Sequence, residues 1–248
     1  MKPRLIVIPT YNEAGNIKAL LDQLFLALPE CEVMVVDDGS PDGTALICKG
    51  LQETIKRLHL IERHEKSGIG SAYRMAFMWA LEQGFNDIIE MDADGSHQVT
   101  DLLRMVDART MNPEVGVVIG SRWIRGGKTL NWPRSRELLS RLANLYVRIA
   151  LGMGVYDSTA GFRIYSSQIL KKIDLAQVRS EGYSFQIEMT RAAHIAGAKI
   201  MEVPITFKER VNGVSKMSKK IVFEALFLVT KWGMIRILAK SDRSFRRA

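Results

Sequence analysis

The chain contains few cysteines and no long apolar run. Two of its 248 residues are cysteines, Cys31 and Cys48, and each lies in or beside an apolar segment. Their spacing does not match a metal-binding motif, so the sequence indicates reduced, buried thiols in a cytoplasmic protein. No apolar stretch reaches about 18 residues, and the first apolar run is too short for a secretory signal peptide. We therefore expect neither a membrane-spanning helix nor a leader in this sequence.

Acidic residues are outnumbered by basic ones. The chain has 27 Asp and Glu against 35 Lys and Arg, which gives a net charge of +8. Such a surplus favours an anionic partner: nucleic acid, a membrane surface or a phosphorylated substrate. The composition is otherwise that of a globular protein, and 248 residues are enough for one sizeable α/β domain with a small appendage.

Short apolar segments alternate with helical patterns in the first part of the chain. Strands are predicted at residues 5–8, 33–36, 58–61 and 88–91, with helices between them. This alternation is typical of βαβ units, in which right-handed crossovers bring the carboxyl ends of parallel strands to one edge. Residues 125–136 fit no pattern. Later we predict helices at 99–111, 138–151, 184–196 and 218–239. Strands are predicted at 115–119, after the polar turn 157–163, and at 200–207.

Polar turns follow three of the predicted strands, at Pro9–Glu13, Asp37–Ser40 and Asp92–Ser96. Ligands bind outside the carboxyl ends of strands in such sheets, so one site would collect all three turns. Asp92 and Asp94 are two positions apart, and in an extended backbone both carboxylates point to the same side. Alone, this pattern also suits a solvated turn. Together with the other two turns, it predicts a site for Mg²⁺ or Mn²⁺.

The motifs Pro9–Glu13, Val36–Ser40 and Asp92–Asp94 resemble those of family 2 glycosyltransferases. Further along, Gly120–Arg122, Asp157–Arg163 and Phe207–Lys216 resemble those of polyprenol (dolichol) phosphate mannose synthases, in the same order. The resemblance runs from about residue 4 to residue 220.

This resemblance implies an α/β fold of the GT-A type, a Rossmann-like and mostly parallel central sheet flanked by helices. The catalytic domain would cover residues 1–217, and a C-terminal amphipathic helix with a basic tail would cover residues 218–248. The implied activity is an inverting transfer of mannose from GDP-mannose to a polyprenyl (dolichyl) phosphate, with Mg²⁺ or Mn²⁺.

The resemblance also implies roles for individual residues. Asp92 and Asp94 would bind the metal, and Asp94, Arg122, Arg210 and Lys216 would be catalytic. The acceptor phosphate would meet Arg122, Arg136 and Ser140, with Arg134 as an alternative to Arg136. The donor site would be lined by Pro9, Tyr11, Glu13, Val36, Asp38, Asp92, Ala93, Asp94, Ser96, Arg122, Arg210 and Lys216.

A phosphate acceptor changes what catalysis requires. A phosphate monoester is already anionic near neutrality, so its oxygen needs cations that bring two anions together rather than a strong base. If Arg136 and Ser140 share a helix, their spacing of four puts both on one face. Ser96 stands where relatives carry a longer amide, and we expect it to act through water. We expect His97 to be a turn residue or helix cap, and Asp37 to cap its turn.

The predicted C-terminal helix is apolar between Ile221 and Leu238, but Glu224, Lys231 and Arg236 interrupt it and basic residues flank it. Such a helix either lies in a membrane interface or packs on the core. We expect a peripheral protein at the cytoplasmic side of a membrane. It would dock there directly or through a separate membrane-anchoring protein, and would bind no nucleic acid.

Three alternatives remain open at this point. The donor could be another nucleotide sugar, such as UDP-glucose. The acceptor could be a glycan hydroxyl, which would need a base such as Glu188 or Asp157. A non-catalytic basic module for nucleic acid or membrane is the third alternative, and the Asp-x-Asp motif at a strand end argues against it.

Overall fold

The structure, a computed structural model, describes residues 2–64, 68–209 and 219–245. Its central sheet has seven strands: β1 (Lys2–Thr10), β2 (Cys31–Asp37), β3 (Leu58–Glu62), β4 (Phe85–Glu90), β5 (Val115–Ser121), β7 (Arg163–Ser166) and β8 (Lys199–Pro204). A second sheet pairs β6 (Lys128–Leu130) with β9 (Thr206–Lys208). The helices described are α1 (Ile17–Ala27), α2 (Thr44–Gln52), α3 (Ile69–Glu82), α4 (Val99–Met111), α5 (Arg134–Leu151), α6 (Ser167–Leu170), α7 (Gly182–Ile195) and α8 (Lys219–Phe245).

The central sheet has the order β3-β2-β1-β4-β7-β5-β8. Strands β1 to β4 pair in parallel with one another, and β5 pairs in parallel with β8. Strand β7 lies between β4 and β5 and runs antiparallel to both. The predicted α/β class with a mostly parallel sheet is therefore confirmed, and the predicted crossovers bring the ends of β1, β2 and β4 to one edge.

Alternate residues of each strand feed two hydrophobic layers, as the two-residue period of a strand requires. In β1, Leu5 and Val7 face one layer, while Ile6 and Ile8 face the other. The first layer is closed by apolar residues of α3, α5, α7 and α8. The second layer is closed by α1, α2 and α4. Helices thus cover both faces of the sheet, and the turns that follow β1, β2 and β4 lie at its edge.

Several segments differ from the sequence prediction. The strand predicted at 200–207 is two strands, because the chain changes partner at Ile205: its N–H bonds Ser121 and its carbonyl bonds Lys128. The segment predicted as an unassigned loop contains β6, which exists only because β9 pairs with it. Helix α5 begins at Arg134, directly after Pro133, rather than at residue 138.

Helix α8 packs on α5 and α7 through one face. Val229 is buried, and the Tyr146 and Thr230 hydroxyls lie 2.7 Å apart. The Arg236 guanidinium lies 3.3 Å from the Ala150 carbonyl at the end of α5, and leaves no room for a Cβ at Gly152. The opposite face of α8 is exposed and carries Leu226, Phe227, Met234, Ile235, Ile237 and Leu238.

From the sequence, this helix could lie in a membrane interface or pack on the core. In the structure it has one packed face and one exposed apolar face. Among the described residues, no helix is long and apolar enough to cross a membrane. The predicted boundary between residues 217 and 218 lies outside the described residues.

Candidate active site

A pocket of about 440 Å³ opens at the carboxyl ends of β1, β2 and β4. All three predicted turns contribute to it, so the expected convergence is present. The predicted site residues that line it are Pro9, Tyr11, Glu13, Asp38, Asp92, Ala93, Asp94, Ser96, Arg122 and Arg136.

Two predicted site residues of the described ranges, Val36 and Ser140, are not part of the pocket lining, and two others cannot be placed. The Val36 side chain is fully buried in the first hydrophobic layer, because it faces inward one residue before the strand ends. Ser140 does follow Arg136 by one turn on α5, but it lies beyond the lining. Arg210 and Lys216 lie outside the described residues.

The two aspartates in the turn after β2 have different roles: one stabilises the turn and the other lines the pocket. The Asp37 carboxylate accepts hydrogen bonds from the Thr10 hydroxyl at 2.8 Å and from the Ser40 backbone N–H at 2.8 Å. Asp37 therefore caps the turn, as the sequence predicted. Asp38 lines the pocket and forms a buried ion pair with Arg63.

Arg63, which the sequence reasoning missed, joins two walls of the pocket. Besides Asp38, it donates to the Ser71 hydroxyl at 2.9 Å and to the Gly68 carbonyl at 2.9 Å. It thus ties the end of β2 to the start of α3. A lone arginine after a strand carries no sequence signal for such a role.

The Asp-x-Asp turn after β4 is held by its own neighbours. Asp94 accepts a hydrogen bond from the Ser96 N–H at 3.0 Å, and His97 Nδ1 accepts one from the Asp92 N–H at 3.0 Å. The His97 ring stacks on Phe162 with centroids 4.5 Å apart. Burial lowers the pKa of His97 to about 4, so the ring is neutral and carries its proton on Nε2. The prediction that His97 is a turn residue is confirmed.

Asp92 and Asp94 fit the metal that the sequence resemblance implies. Both carboxylates line the pocket and are only partly buried. Across the described ranges, no three or more His, Cys, Asp and Glu side chains form a metal-binding group. Two carboxylates suffice for Mg²⁺ or Mn²⁺ in a nucleotide site, because substrate phosphates and water complete the shell. The Ser96 hydroxyl is buried beside them, with no partner among the described residues.

Arg122 lines the pocket with its charge already balanced. Its Nε and Nη2 donate to the two Asp157 carboxylate oxygens at 2.8 and 2.7 Å, and Nη2 also reaches the Thr159 hydroxyl at 2.9 Å. Asp157 is fully buried, and Glu202 accepts its N–H at 3.0 Å. The sequence names Arg122 as a candidate cation for the acceptor phosphate, and the structure adds that this arginine is half of a buried ion pair with Asp157.

The two base candidates of the hydroxyl-acceptor alternative are both engaged elsewhere. Both carboxylate oxygens of Asp157 bond Arg122. The Glu188 carboxylate accepts the backbone N–H groups of Arg179 and Ser180 at 3.2 and 2.9 Å and does not line the pocket. Neither carboxylate is placed to take a proton from a substrate.

An aromatic layer surrounds the arginines on this side. The Arg122 guanidinium lies 5.2, 5.4 and 5.5 Å from the ring centroids of Trp123, Trp132 and Phe207. Arg136 lies 4.0 Å from the Trp132 centroid and forms an ion pair with Glu209. Cation–π contacts of this kind fix guanidinium positions. Both arginines are therefore held in place by aromatic rings and by carboxylates.

The opposite wall combines the starts of α3 and α7. The Glu181 carboxylate accepts the Gly70 N–H at 2.7 Å and an Arg74 N–H at 3.0 Å, so it occupies the amino end of α3. Gly68 and Ile69, at the start of α3, also line the pocket on this wall. Residues of the lining that the sequence reasoning did not assign to the site are Thr10, Gly68, Ile69, His97, Trp132, Thr159, Gly161, Glu181, Gly182, Tyr183, Gln186, Phe207 and Glu209.

Comparison with known proteins agrees with this geometry. The family model described as glycosyl transferase family 2 matches residues 5–174. The chain belongs to glycosyl transferase family 2. This family 2 enzyme is 46% identical over 231 residues to the polyprenol monophosphomannose synthase of Mycolicibacterium smegmatis, covering 93% of this chain and 86% of the relative. It is 47% identical to the undecaprenyl-phosphate mannosyltransferase of Micrococcus luteus, covering 93% of each.

Solved structures of more distant proteins have the same fold. Glucosyl-3-phosphoglycerate synthase from Mycobacterium tuberculosis, in complex with UDP, superposes with a TM-score of 0.65 at 18% identity, over 92% of this chain and 80% of the other. Its complex with Mn²⁺ and UDP-glucose gives a TM-score of 0.68 at 17% identity, over 93% and 79%. The predicted GT-A fold is confirmed, and the chain is a glycosyltransferase.

Proposed function

We propose that this family 2 enzyme transfers mannose from GDP-mannose to a polyprenyl monophosphate and inverts the anomeric carbon. The observation that carries the proposal is the pair of relatives named as polyprenyl-phosphate mannosyltransferases, each matching 93% of the chain. The pocket supports it, because carboxylates lie on one side and arginines on the other.

The donor side is formed by the turns after β1, β2 and β4. Tyr11, Glu13 and Asp38 surround the space in which we propose that the nucleoside lies, with carboxylates that accept bonds from base N–H groups or ribose hydroxyls. Arg63 holds Asp38 in position. Asp92 and Asp94 would hold Mg²⁺ or Mn²⁺, which when bound binds the diphosphate and stabilises the charge on the leaving GDP. The Asp92 backbone is kept in place by His97.

The acceptor side must bring a phosphate monoester dianion up to an anionic donor. In the reaction, a phosphate oxygen forms a bond to the anomeric carbon while the bond from that carbon to the diphosphate oxygen breaks. Arg122 and Arg136 both line the pocket and supply donors for phosphate oxygens. We propose that Arg210 and Lys216 add to this positive charge. Ser140, one turn beyond Arg136, would meet the acceptor farther out.

The lipid acceptor implies contact with a membrane surface, and an exposed apolar face adjoins the pocket. Helix α5 starts beside the pocket with Arg136 and packs against α8, and its exposed side chains include Leu138, Leu139, Leu142, Leu145 and Ile149. Amphipathic helices with basic residues bind anionic lipid surfaces in this manner. We propose peripheral docking through α5 and the exposed face of α8, either directly or with an anchoring protein. The two free, buried thiols agree with a cytoplasmic side.

The decisive experiment measures transfer of radiolabelled mannose from GDP-mannose to a short-chain polyprenyl phosphate, with Mg²⁺. The wild-type protein should form a mild-acid-labile lipid, and Asp94→Ala should reduce the rate at least about a thousand-fold, because the diphosphate loses its charge stabilisation. Asp107→Ala, an exposed aspartate on α4, is the matched control and should retain full activity.

The outcomes separate the alternatives. Labelling of the lipid from UDP-glucose but not from GDP-mannose would overturn the proposed donor and leave the lipid-phosphate acceptor. Transfer to a glycan hydroxyl with no lipid product would overturn the acceptor. Transfer that is indifferent to Asp94→Ala would overturn the metal site.

A further inference from the structure

The pocket has a polar floor that the reaction described above does not use. Gln186 of α7 lines the pocket and is only 4% exposed. Its Nε2 donates to Glu90 Oε2 at 2.8 Å. Glu90 is fully buried at the end of β4, two residues before Asp92. Glu90 therefore fixes the orientation of the Gln186 amide, and Glu90 lies at the end of β4, directly before the turn proposed to bind the metal.

The same floor is held from the other side by β7. Arg163 pairs across the strands with Glu90, and it is fully buried. Its guanidinium donates to the carbonyls of Ser158 and Ala160, both at 2.7 Å. These bonds fix the turn that precedes β7 and so fix the position of Gly161 against Gln186.

Gly161 leaves an open space between Gln186 and Asp92. A Cβ at Gly161 would lie 3.8 Å from Gln186 Nε2 and 4.0 Å from Asp92 Oδ2, with no closer neighbour among the described atoms. A primary amide nitrogen carries two hydrogens, and Glu90 takes one of them. The other hydrogen is available to a group that enters this space. That group would lie beside Asp92, which is proposed to hold the metal that binds the diphosphate, and the transferred sugar is bonded to that diphosphate.

We propose that Gln186 recognises the transferred sugar by donating a hydrogen bond to a sugar hydroxyl in the space that Gly161 leaves open. Glu90 is the positioning residue that orients the amide. The inference rests on the proposed function only in requiring a nucleotide-sugar donor in this pocket. A site built to hydrogen-bond one hydroxyl discriminates strongly against a sugar that lacks it in that position, because the buried amide is then left unpaired.

The test compares binding of GDP, GDP-mannose and GDP-glucose by calorimetry with Mg²⁺, for wild type and Gln186→Leu. Glucose differs from mannose only in the orientation of one hydroxyl. Gln186→Leu should leave the Kd of GDP within about two-fold of wild type and weaken GDP-mannose about ten-fold, the effect of one hydrogen bond of roughly 1.4 kcal/mol. The ratio of the Kd values for GDP-glucose and GDP-mannose should be smaller in Gln186→Leu than in the wild type. Gln177→Leu, at an exposed glutamine outside the lining, is the control and should change none of the three values.

A second variant keeps the test independent of the amide's structural role. Gly161→Ala adds a methyl at ordinary contact distance, so it should fold and bind GDP normally while weakening GDP-mannose about ten-fold or more. The proposal is overturned if either variant lowers GDP and GDP-mannose affinity in parallel, or if both variants leave the ratio of the two Kd values unchanged.

The design also separates this inference from the proposed donor. If the wild-type protein binds UDP and UDP-glucose but not the guanine nucleotides, the proposed donor fails, and the same ratio measured with UDP-glucose and UDP decides the role of Gln186. A wild-type protein that binds neither nucleoside diphosphate with Mg²⁺ overturns both proposals.

Discussion

The proposed donor side and the proposed acceptor side of the pocket differ in what sets the positions of their side chains. On the donor side, Asp38, Asp92 and Asp94 follow the ends of parallel strands, so the backbone of the sheet sets their positions. On the acceptor side, Arg122 and Arg136 are set by carboxylate partners far away in sequence and by aromatic rings, of which Trp132 is near both. Single substitutions should therefore disturb the acceptor side through lost ion pairs, and the turn after β4 on the donor side through lost local bonds.

The largest effect is expected for the buried ion pair of the acceptor side. Asp157→Ala leaves the Arg122 guanidinium buried without a counter-ion, and should lower the free energy of unfolding by about 3–5 kcal/mol. Urea denaturation measures this loss. Asp107→Ala, at an exposed position, should cost less than about 0.5 kcal/mol. A loss below about 1 kcal/mol in Asp157→Ala would mean that the pair does not organise this side.

On the donor side, His97 links stability to pH. Its folded pKa of about 4 is below the ordinary value of 6.5, so the unfolded chain binds a proton that the folded chain does not. This contribution to stability is complete above pH 6.5 and is lost as the pH falls toward 4. His97→Phe should make the slope of unfolding free energy against pH shallower in that window, by up to about 1.4 kcal/mol per pH unit. Unchanged slopes would contradict a buried neutral imidazole.

In the partly buried Arg136–Glu209 ion pair of the acceptor side, replacing one partner or the other should change the KM for the lipid phosphate in opposite directions. Arg136→Ala removes a phosphate donor and should raise the KM for the lipid phosphate about ten-fold, with the donor KM unchanged. Glu209→Gln releases Arg136 from its carboxylate partner and should lower the acceptor KM. Arg134→Ala is the matched control, because that arginine is exposed and does not line the pocket. An Arg134→Ala effect larger than that of Arg136→Ala would exchange their roles.

The smallest effect concerns the apolar face of α5. Leu142→Glu should weaken binding to vesicles of anionic lipid several-fold, since it places a negative charge on an exposed apolar face. Transfer to a short-chain, water-soluble acceptor should be unaffected. Leu46→Glu, at an exposed leucine of α2, should change neither value. Equal loss in both variants, measured by vesicle co-sedimentation, would exclude α5 as the docking face.

The two sides also differ in how much the sequence could predict. The donor turns were predictable, because in parallel βαβ units the residues that follow each strand share one edge. Thr159 and Gly161 precede β7 rather than follow it. Because β7 is antiparallel, its amino end lies at the same edge, and a rule about residues that follow strands does not identify them. The partners Asp157 and Glu209 depend on contacts 35 and 73 residues apart, for which local patterns hold no information.

The C-terminal helix was ambiguous for a related reason. Its apolar residues surround the helix, so periodicity could not distinguish packing from membrane contact. The contacts at Tyr146 on α5 and at Gly152 just after it determine which face of the helix packs.

The position of β7 between β4 and β5 also has a consequence for the order of assembly during synthesis. Until residues 163–166 emerge, β4 is an unprotected sheet edge, although the donor turns up to Asp94 are already made. Exposed strand edges promote pairing between chains. The nascent chain therefore passes through an interval of some 70 residues, from the end of β4 at residue 90 to β7, in which premature release favours aggregation.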